Sequence, residues 1–135
     1  MKKLFNSKYT DSGISFSLLV LRLSLGGLMI PHGVQKMMNF AAKSSTFPDP
    51  FGIGHPTSMA LVIFAELFCA VFIVMGLMTR LAAIPLIIAM SVAVFKAHNG
   101  DIFGEAEHAM LYLMGFVALL FAGPGKYSMD RLIGK

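Results

Sequence analysis

Four apolar stretches divide the chain, and polar or turn-forming segments separate them. Since about 20 apolar residues cross the hydrocarbon core of a bilayer, each stretch is a candidate membrane span. The stretches cover residues 14–38, 58–78, 81–98 and 107–122. An Asn-Gly turn signal follows the third, and Gly123-Pro124-Gly125 ends the fourth. The pattern predicts an all-α integral membrane four-helix bundle that forms a single domain over residues 1–135.

The composition agrees with this class of protein. The chain is 56% hydrophobic and 13% charged, whereas soluble domains average about 25% charged residues. The net charge of +4 does not indicate nucleic-acid binding, because the basic residues flank the apolar stretches instead of sharing one face. The expected surroundings are a lipid bilayer, with no nucleic-acid partner. A lone cysteine, Cys69, excludes an intrachain disulfide and a CxxC redox pair.

The distribution of lysine and arginine predicts the orientation, because cytoplasmic loops are enriched in both. Four spans place both ends of the chain and the turn after the second span on one side. That side holds Lys2, Lys3, Lys8, Arg80, Lys126, Arg131 and Lys135. The other side holds Lys36, Lys43 and Lys96, together with several acidic residues. We therefore expect a multi-pass protein with both termini in the cytoplasm (N-in/C-in).

Polar residues inside the spans are the main indication of a site. A charge at mid-bilayer costs about 2.5–3.5 kcal/mol, so such residues usually face the bundle interior. A helix turns by about 100° per residue, which groups one polar and glycine-containing stripe on the first span. The stripe contains Arg22, Gly26, Met29, Gly33 and Lys36, with His32 at its edge. Its glycines predict a close helix–helix approach.

Glu66 in the second span is expected at a depth similar to that of His32. The two could form a ligand-binding or proton-relay pair, or a polar contact that only fixes helix packing. The candidate ligand-binding residues in this half of the bundle are His32, Lys36, Glu66, His98 and His108. Arg22 and Arg80 are expected to be structural. Arg22 would snorkel to the membrane surface or pair with the C-terminal segment, for instance with Asp130; binding of an anionic headgroup or substrate is the alternative. Arg80 would fix the turn between the second and third spans.

A metal site is an alternative use of the same residues. His32, Glu66, His98 and His108 offer imidazole and carboxylate ligands, which suit zinc, iron, copper or manganese. Their spacing matches no recognised metal motif. The sequence therefore leaves the cofactor open between a bound metal and a quinone, and it assigns no catalytic residue.

Four segments together resemble the DoxX family of small bacterial inner-membrane proteins. They are RLSLGGLMIPHGVQKM, AELFCAVFIVMGLMTRLAA, VAVFKAH and LLFAGPGKYSMDRL. The resemblance implies an inner-membrane four-helix bundle with both ends in the cytoplasm. It also implies a link to redox physiology, since relatives include a subunit of thiosulfate:quinone oxidoreductase and proteins tied to oxidative stress.

The first functional hypothesis is the membrane subunit of a sulfur, quinone or oxidative-stress system. It would be an oxidoreductase subunit without an independent active site. It would bind a small amphiphile or quinone in an outward-facing pocket around His32 and Glu66, and it would work with soluble or membrane redox partners. One alternative is a non-catalytic scaffold that recruits soluble partners. A small-solute transporter is a further alternative, and it would need a homo-oligomer because four spans form a thin bundle.

Overall fold

The computed structural model describes residues 1–97 and 99–134, and every regular element in these ranges is helical. The main helices are α1 (Asp11–Met38), α2 (His55–Met75), α3 (Thr79–Val92), α4 (Glu107–Ala122) and the short α5 (Met129–Ile133). Phe64–Cys69 within α2 is π-helical, and α3 continues as the π-helical segment Ala93–Ala97. Single helical turns occupy Lys2–Phe5, Phe40–Lys43 and Ser44–Thr46.

Three of these helices are long and apolar enough to cross a membrane. They are Asp11–Met38, His55–Met75 and Thr79–Lys96, and the apolar α4 is shorter at 16 residues. Their exposed surfaces carry large apolar side chains such as Leu28, Leu61 and Phe121. A surface of this kind fits lipid better than water. The all-helical membrane bundle expected from the sequence is therefore confirmed at this level.

The bounds of α2 and α3 differ from the expected ones for local reasons. Helix α2 begins at His55 after Gly54, so Pro56 lies in its first turn, where a missing N–H costs nothing. It ends at Gly76, whose φ of 70° is left-handed. Thr79 and Arg80 lie between the expected spans 58–78 and 81–98, but they are the first two residues of α3.

Helices α1 and α2 approach each other closely along the predicted glycine stripe. A Cβ added at Gly26 would lie 2.8 Å from the carbonyl oxygen of Ala70. A Cβ added at Gly33 would lie 2.7 Å from the backbone nitrogen of Leu67. Arg22, Gly26, Met29 and Gly33 are all buried. The predicted close approach is thus confirmed, and it brings the backbone of the π-helical segment against α1.

The rest of the core lies between α2, α3 and α4. Its fully buried side chains include Ile73, Leu86, Phe116 and Leu119. Cys69 is also buried there as a free thiol. Helix α4 packs along α3, as the Asn99-Gly100 turn between them requires. Both turn residues have positive φ, 53° and 75°, which agrees with the turn expected from the sequence.

An aspartate organises the loop between α1 and α2. The Asp49 carboxylate accepts hydrogen bonds from the N–H of Ile53 (3.0 Å), the N–H of Gly54 (2.9 Å) and the hydroxyl of Ser58 (2.8 Å). Desolvation raises the pKa of Asp49, but these hydrogen bonds and the nearby His55 outweigh it, so the pKa lies below its ordinary value. The carboxylate therefore stays charged at neutral pH and holds the start of α2 in place.

The C-terminal segment, residues 123–134, covers the end of the bundle opposite the α1–α2 loop and contacts Arg22. The Arg22 side chain is fully buried and donates to the carbonyl oxygens of Val74 (3.4 Å) and Tyr127. Asp130 interacts with it electrostatically. Arg22 thus contacts the C-terminal segment, as expected, although its direct hydrogen bonds go to backbone carbonyls.

Asp130 also caps α3. Its carboxylate accepts hydrogen bonds from the N–H groups of Met78 (2.7 Å) and Thr79 (3.0 Å), and its own N–H donates to the carbonyl of Gly76 (2.9 Å). An acidic side chain at a helix N-terminus satisfies backbone donors that otherwise lack partners. One residue of the C-terminal segment therefore stabilises both the α2–α3 turn and the buried arginine.

Candidate functional site

Glu66 lies in the π-helical part of α2 and is 5% exposed. A π-helical turn adds one residue to the helix and shifts the side chains that follow, and such turns are frequent at functional sites. The adjacent backbone packs against Gly33, since a Cβ there would lie 2.8 Å from the carbonyl carbon of Glu66. The carboxylate is therefore held at the α1–α2 contact within an apolar helix.

Lys36 is the ion-pair partner of Glu66. Its Nζ lies 2.6 Å from Oε2 of Glu66, a hydrogen bond as well as a charge pair. The Glu66 side chain is 7% exposed and the Lys36 side chain is 28% exposed. The carboxylate of the pair is therefore buried, whereas the ammonium is partly accessible.

Aromatic side chains of α1 and α4 lie beside this pair. The ring of His32 stands edge-on to Tyr112, with 6.3 Å between centroids, and Tyr112 stacks on Phe116 at 6.2 Å. Tyr112 also interacts electrostatically with Glu66. Tyr112 is not among the residues predicted from the sequence, although its polar hydroxyl lies inside an otherwise apolar helix. We refer to Lys36, Glu66, His32 and Tyr112 as the polar site.

The remaining residues predicted from the sequence differ in their surroundings. His32 belongs to the polar site, but its ring is exposed, and the Glu66 carboxylate takes Lys36 rather than His32 as its ion-pair partner. His108 is exposed in the first turn of α4. His98 lies outside the described residues. Arg80 is exposed at the start of α3 near Gly123, at the end of the bundle that the C-terminal segment covers.

Within residues 1–97 and 99–134, no group of three histidine, cysteine, aspartate or glutamate side chains is placed to hold a metal ion. Surface cavities of about 220 Å³ and about 250 Å³ lie at the C-terminal segment and at the α1–α2 loop. Neither cavity is lined by His32 or Glu66.

The family model described as DoxX matches residues 17–99. This chain belongs to the DoxX family. The matched region includes Arg22, Gly33, Lys36 and Glu66, so the α1–α2 contact lies inside it. Tyr112 and the C-terminal segment that holds Arg22 lie beyond it.

Relatives of this DoxX-family chain are bacterial membrane proteins. It is 31% identical to an uncharacterized membrane protein of Mycobacterium tuberculosis, over 88% of this chain and 82% of the relative. It is 30% identical to the inner membrane protein YphA of Escherichia coli, over 92% and 96%. The inner membrane protein YqjF of the same organism is 29% identical, over 95% and 97%. No solved structure matches the chain. The protein is thus a small DoxX-family inner membrane protein.

Proposed function

We propose that this protein is the membrane subunit of a redox-linked system and binds a quinone or a similar small amphiphile at the polar site. The observation that carries the proposal is the ion pair of Lys36 and Glu66 inside an apolar bundle, with the ammonium on the accessible side. Ionisable residues within membrane helices are costly to keep and commonly mark a ligand or proton site.

The chemistry of the site suits a ligand with a polar carbonyl head and an apolar tail. The Lys36 ammonium has three donors and uses one on Glu66, so it can donate to a quinone carbonyl oxygen in a charge-assisted hydrogen bond. The exposed ring of His32 offers a flat surface for a quinone ring, whereas Tyr112 already stacks on Phe116. Electrons would come from a soluble or membrane redox partner, and the subunit would have no independent active site.

We also propose the topology that this function uses. Helices α1 to α4 are all assigned to the membrane, with α4 as a short fourth span of about 24 Å at 1.5 Å per residue. Both termini would lie in the cytoplasm, which places Lys36 toward the outer side. A reporter fused after Lys135 should then register as cytoplasmic, and one inserted at Pro50 as periplasmic. The reverse pattern would contradict the proposed N-in/C-in orientation.

Quinone binding can be measured directly with a short-chain ubiquinone and the purified full-length protein in detergent micelles. Lys36→Met keeps the length of the side chain but removes the donor, and we expect it to weaken binding about tenfold or more. Glu66→Gln keeps the shape of the residue and a hydrogen-bond acceptor, so the variant should fold while binding more weakly. Titration calorimetry of each variant gives the dissociation constants.

Lys43→Met is the matched control, because Lys43 is exposed beyond the end of α1. It should bind the ubiquinone as the unmodified protein does. Folded Lys36→Met and Glu66→Gln proteins with unchanged affinity would refute the proposed site. An unmodified protein that binds no quinone would refute the proposed ligand.

A non-catalytic scaffold is the second candidate, and one observation favours it. The backbone of Glu66 packs directly against Gly33, so the ion pair could serve only to fix the α1–α2 contact. In that case Glu66→Gln should leave cellular activity intact, while Glu66→Leu should lower stability because Lys36 loses its partner. Measuring activity and thermal stability for both variants separates the two functions.

A further inference from the structure

At the end of the bundle covered by the C-terminal segment lies a cavity that none of the polar-site residues line. This cavity of about 220 Å³ lies between the start of α1, the end of α4 and the C-terminal segment. Its walls are of two kinds. Ile14, Leu18 and Ala122 form an apolar wall, whereas Lys126 and Arg131 supply positive charge. We propose that this cavity binds the anionic phosphate headgroup of a membrane phospholipid.

The fold holds both basic residues in place at the cavity. The backbone N–H of Lys126 donates to the hydroxyl of Ser15 on α1 (3.3 Å). Ser128 caps α5 by accepting from the N–H of Arg131 (3.3 Å), and Asp130 is bound to the α2–α3 turn. The backbone around the two cations is thus fixed by contacts with two other parts of the bundle, although their side chains remain exposed.

The charge balance of the cavity favours an anion. Its single acidic side chain, Asp11, lies 3.9 Å from Lys126 and is 82% exposed, so the pair is loose. Arg131 has no acidic partner among the cavity residues. An exposed pair at this distance contributes little, which leaves both cations available to a phosphate.

The position of the cavity favours a phosphate carried by a lipid. The apolar wall belongs to α1 and α4, where Ile14 is partly exposed and Phe121, next to Ala122 in the sequence, is largely exposed. A bound headgroup could therefore keep its acyl chains against the outside of the helices. Basic residues beside apolar helix ends commonly contact anionic lipids.

Native mass spectrometry of the full-length protein in micelles tests this directly, with phosphatidylglycerol and phosphatidylcholine as probes. The unmodified protein should retain phosphatidylglycerol in preference to phosphatidylcholine. Each basic residue near an anionic surface changes affinity by about five-fold, so Lys126→Gln with Arg131→Gln should lower phosphatidylglycerol affinity about 25-fold. Asp11→Asn should raise it, because the repelling carboxylate is gone.

The control is Lys2→Gln with Lys3→Gln, which removes the same charge from exposed residues that do not line the cavity. A phosphatidylglycerol preference that survives the Lys126 and Arg131 changes would overturn the proposal. An equal loss of phosphatidylglycerol affinity in the control would also overturn the proposal, because it would indicate a general charge effect. Inorganic phosphate that displaces the lipid at equal concentration would assign the cavity to free phosphate instead.

A charge-neutral variant covers the case in which the double variant fails to fold. Ala122→Phe places a ring on the apolar wall and leaves Lys126 and Arg131 unchanged. It should reduce retention of phosphatidylglycerol by narrowing the cavity. Unchanged retention in this variant would exclude the cavity as the binding site.

Discussion

Replacing Gly33 with alanine should destabilise the bundle by about 3 kcal/mol, at the upper end of the range for overpacked cores. The added methyl would lie 2.7 Å from the Leu67 nitrogen and 2.8 Å from the Glu66 carbonyl carbon. Both are backbone atoms, so only separation of α1 and α2 can relieve the overlap. Thermal unfolding in detergent micelles, followed by far-UV circular dichroism, measures the loss. The same separation should weaken the ion pair of Lys36 and Glu66.

The matched control is Gly27→Ala, six residues earlier on the other face of α1. A Cβ at Gly27 meets nothing within 4 Å. Alanine is favoured over glycine in a helix interior by roughly 0.5–1 kcal/mol, so this variant should be as stable as the unmodified protein or slightly more so. Equal melting temperatures for the Gly33 and Gly27 variants would contradict the close approach of the two helices.

Replacing Asp130 with alanine should lower the free energy of unfolding by about 3 kcal/mol. Loss of a helix cap costs about 0.5–2 kcal/mol, and here the N–H groups of Met78 and Thr79 lose their acceptor together. The remainder comes from the buried Arg22, which loses a nearby negative charge. Asp130→Asn retains one acceptor oxygen, so its free energy of unfolding should lie between those of the unmodified protein and Asp130→Ala.

Leu132→Ala provides the comparison for Asp130, because Leu132 lies in the same short helix and is 71% exposed. Its truncation should change the melting temperature little. If Asp130→Ala were no less stable than Leu132→Ala, the C-terminal segment would not be stabilising the end of the bundle. The same unfolding measurement decides this.

Helical periodicity was sufficient to predict which face of α1 is buried. Arg22, Gly26, Met29 and Gly33 follow the 3.6-residue repeat of a regular helix, and all four are buried. The end of α4 at Gly123 and the Asn99-Gly100 turn were also predictable. Each needs residues with a positive φ, which glycine and asparagine adopt more readily than other residues. These features depend on local geometry alone, which a single sequence carries.

The ion-pair partner of Glu66 could not be predicted in the same way. Matching depth selected His32, which does lie at the polar site, but depth alone does not tell which of two side chains on neighbouring turns reaches the carboxylate. Lys36 lies one turn further along α1, and its flexible four-carbon stem reaches the carboxylate. Tyr112 was missed for a related reason, since its position beside Glu66 depends on how α4 packs.

The contact between Arg22 and Tyr127 has a consequence for biogenesis. The two residues are 105 positions apart, so at 5–20 residues per second the ribosome makes Tyr127 about 5–20 s after Arg22. During that interval the Arg22 guanidinium lacks its Tyr127 acceptor, and its other backbone acceptor, the Val74 carbonyl, is made 52 positions after Arg22. Insertion of α1 and completion of the Arg22 contacts are therefore separate events in time, because the second contact waits for translation of Tyr127.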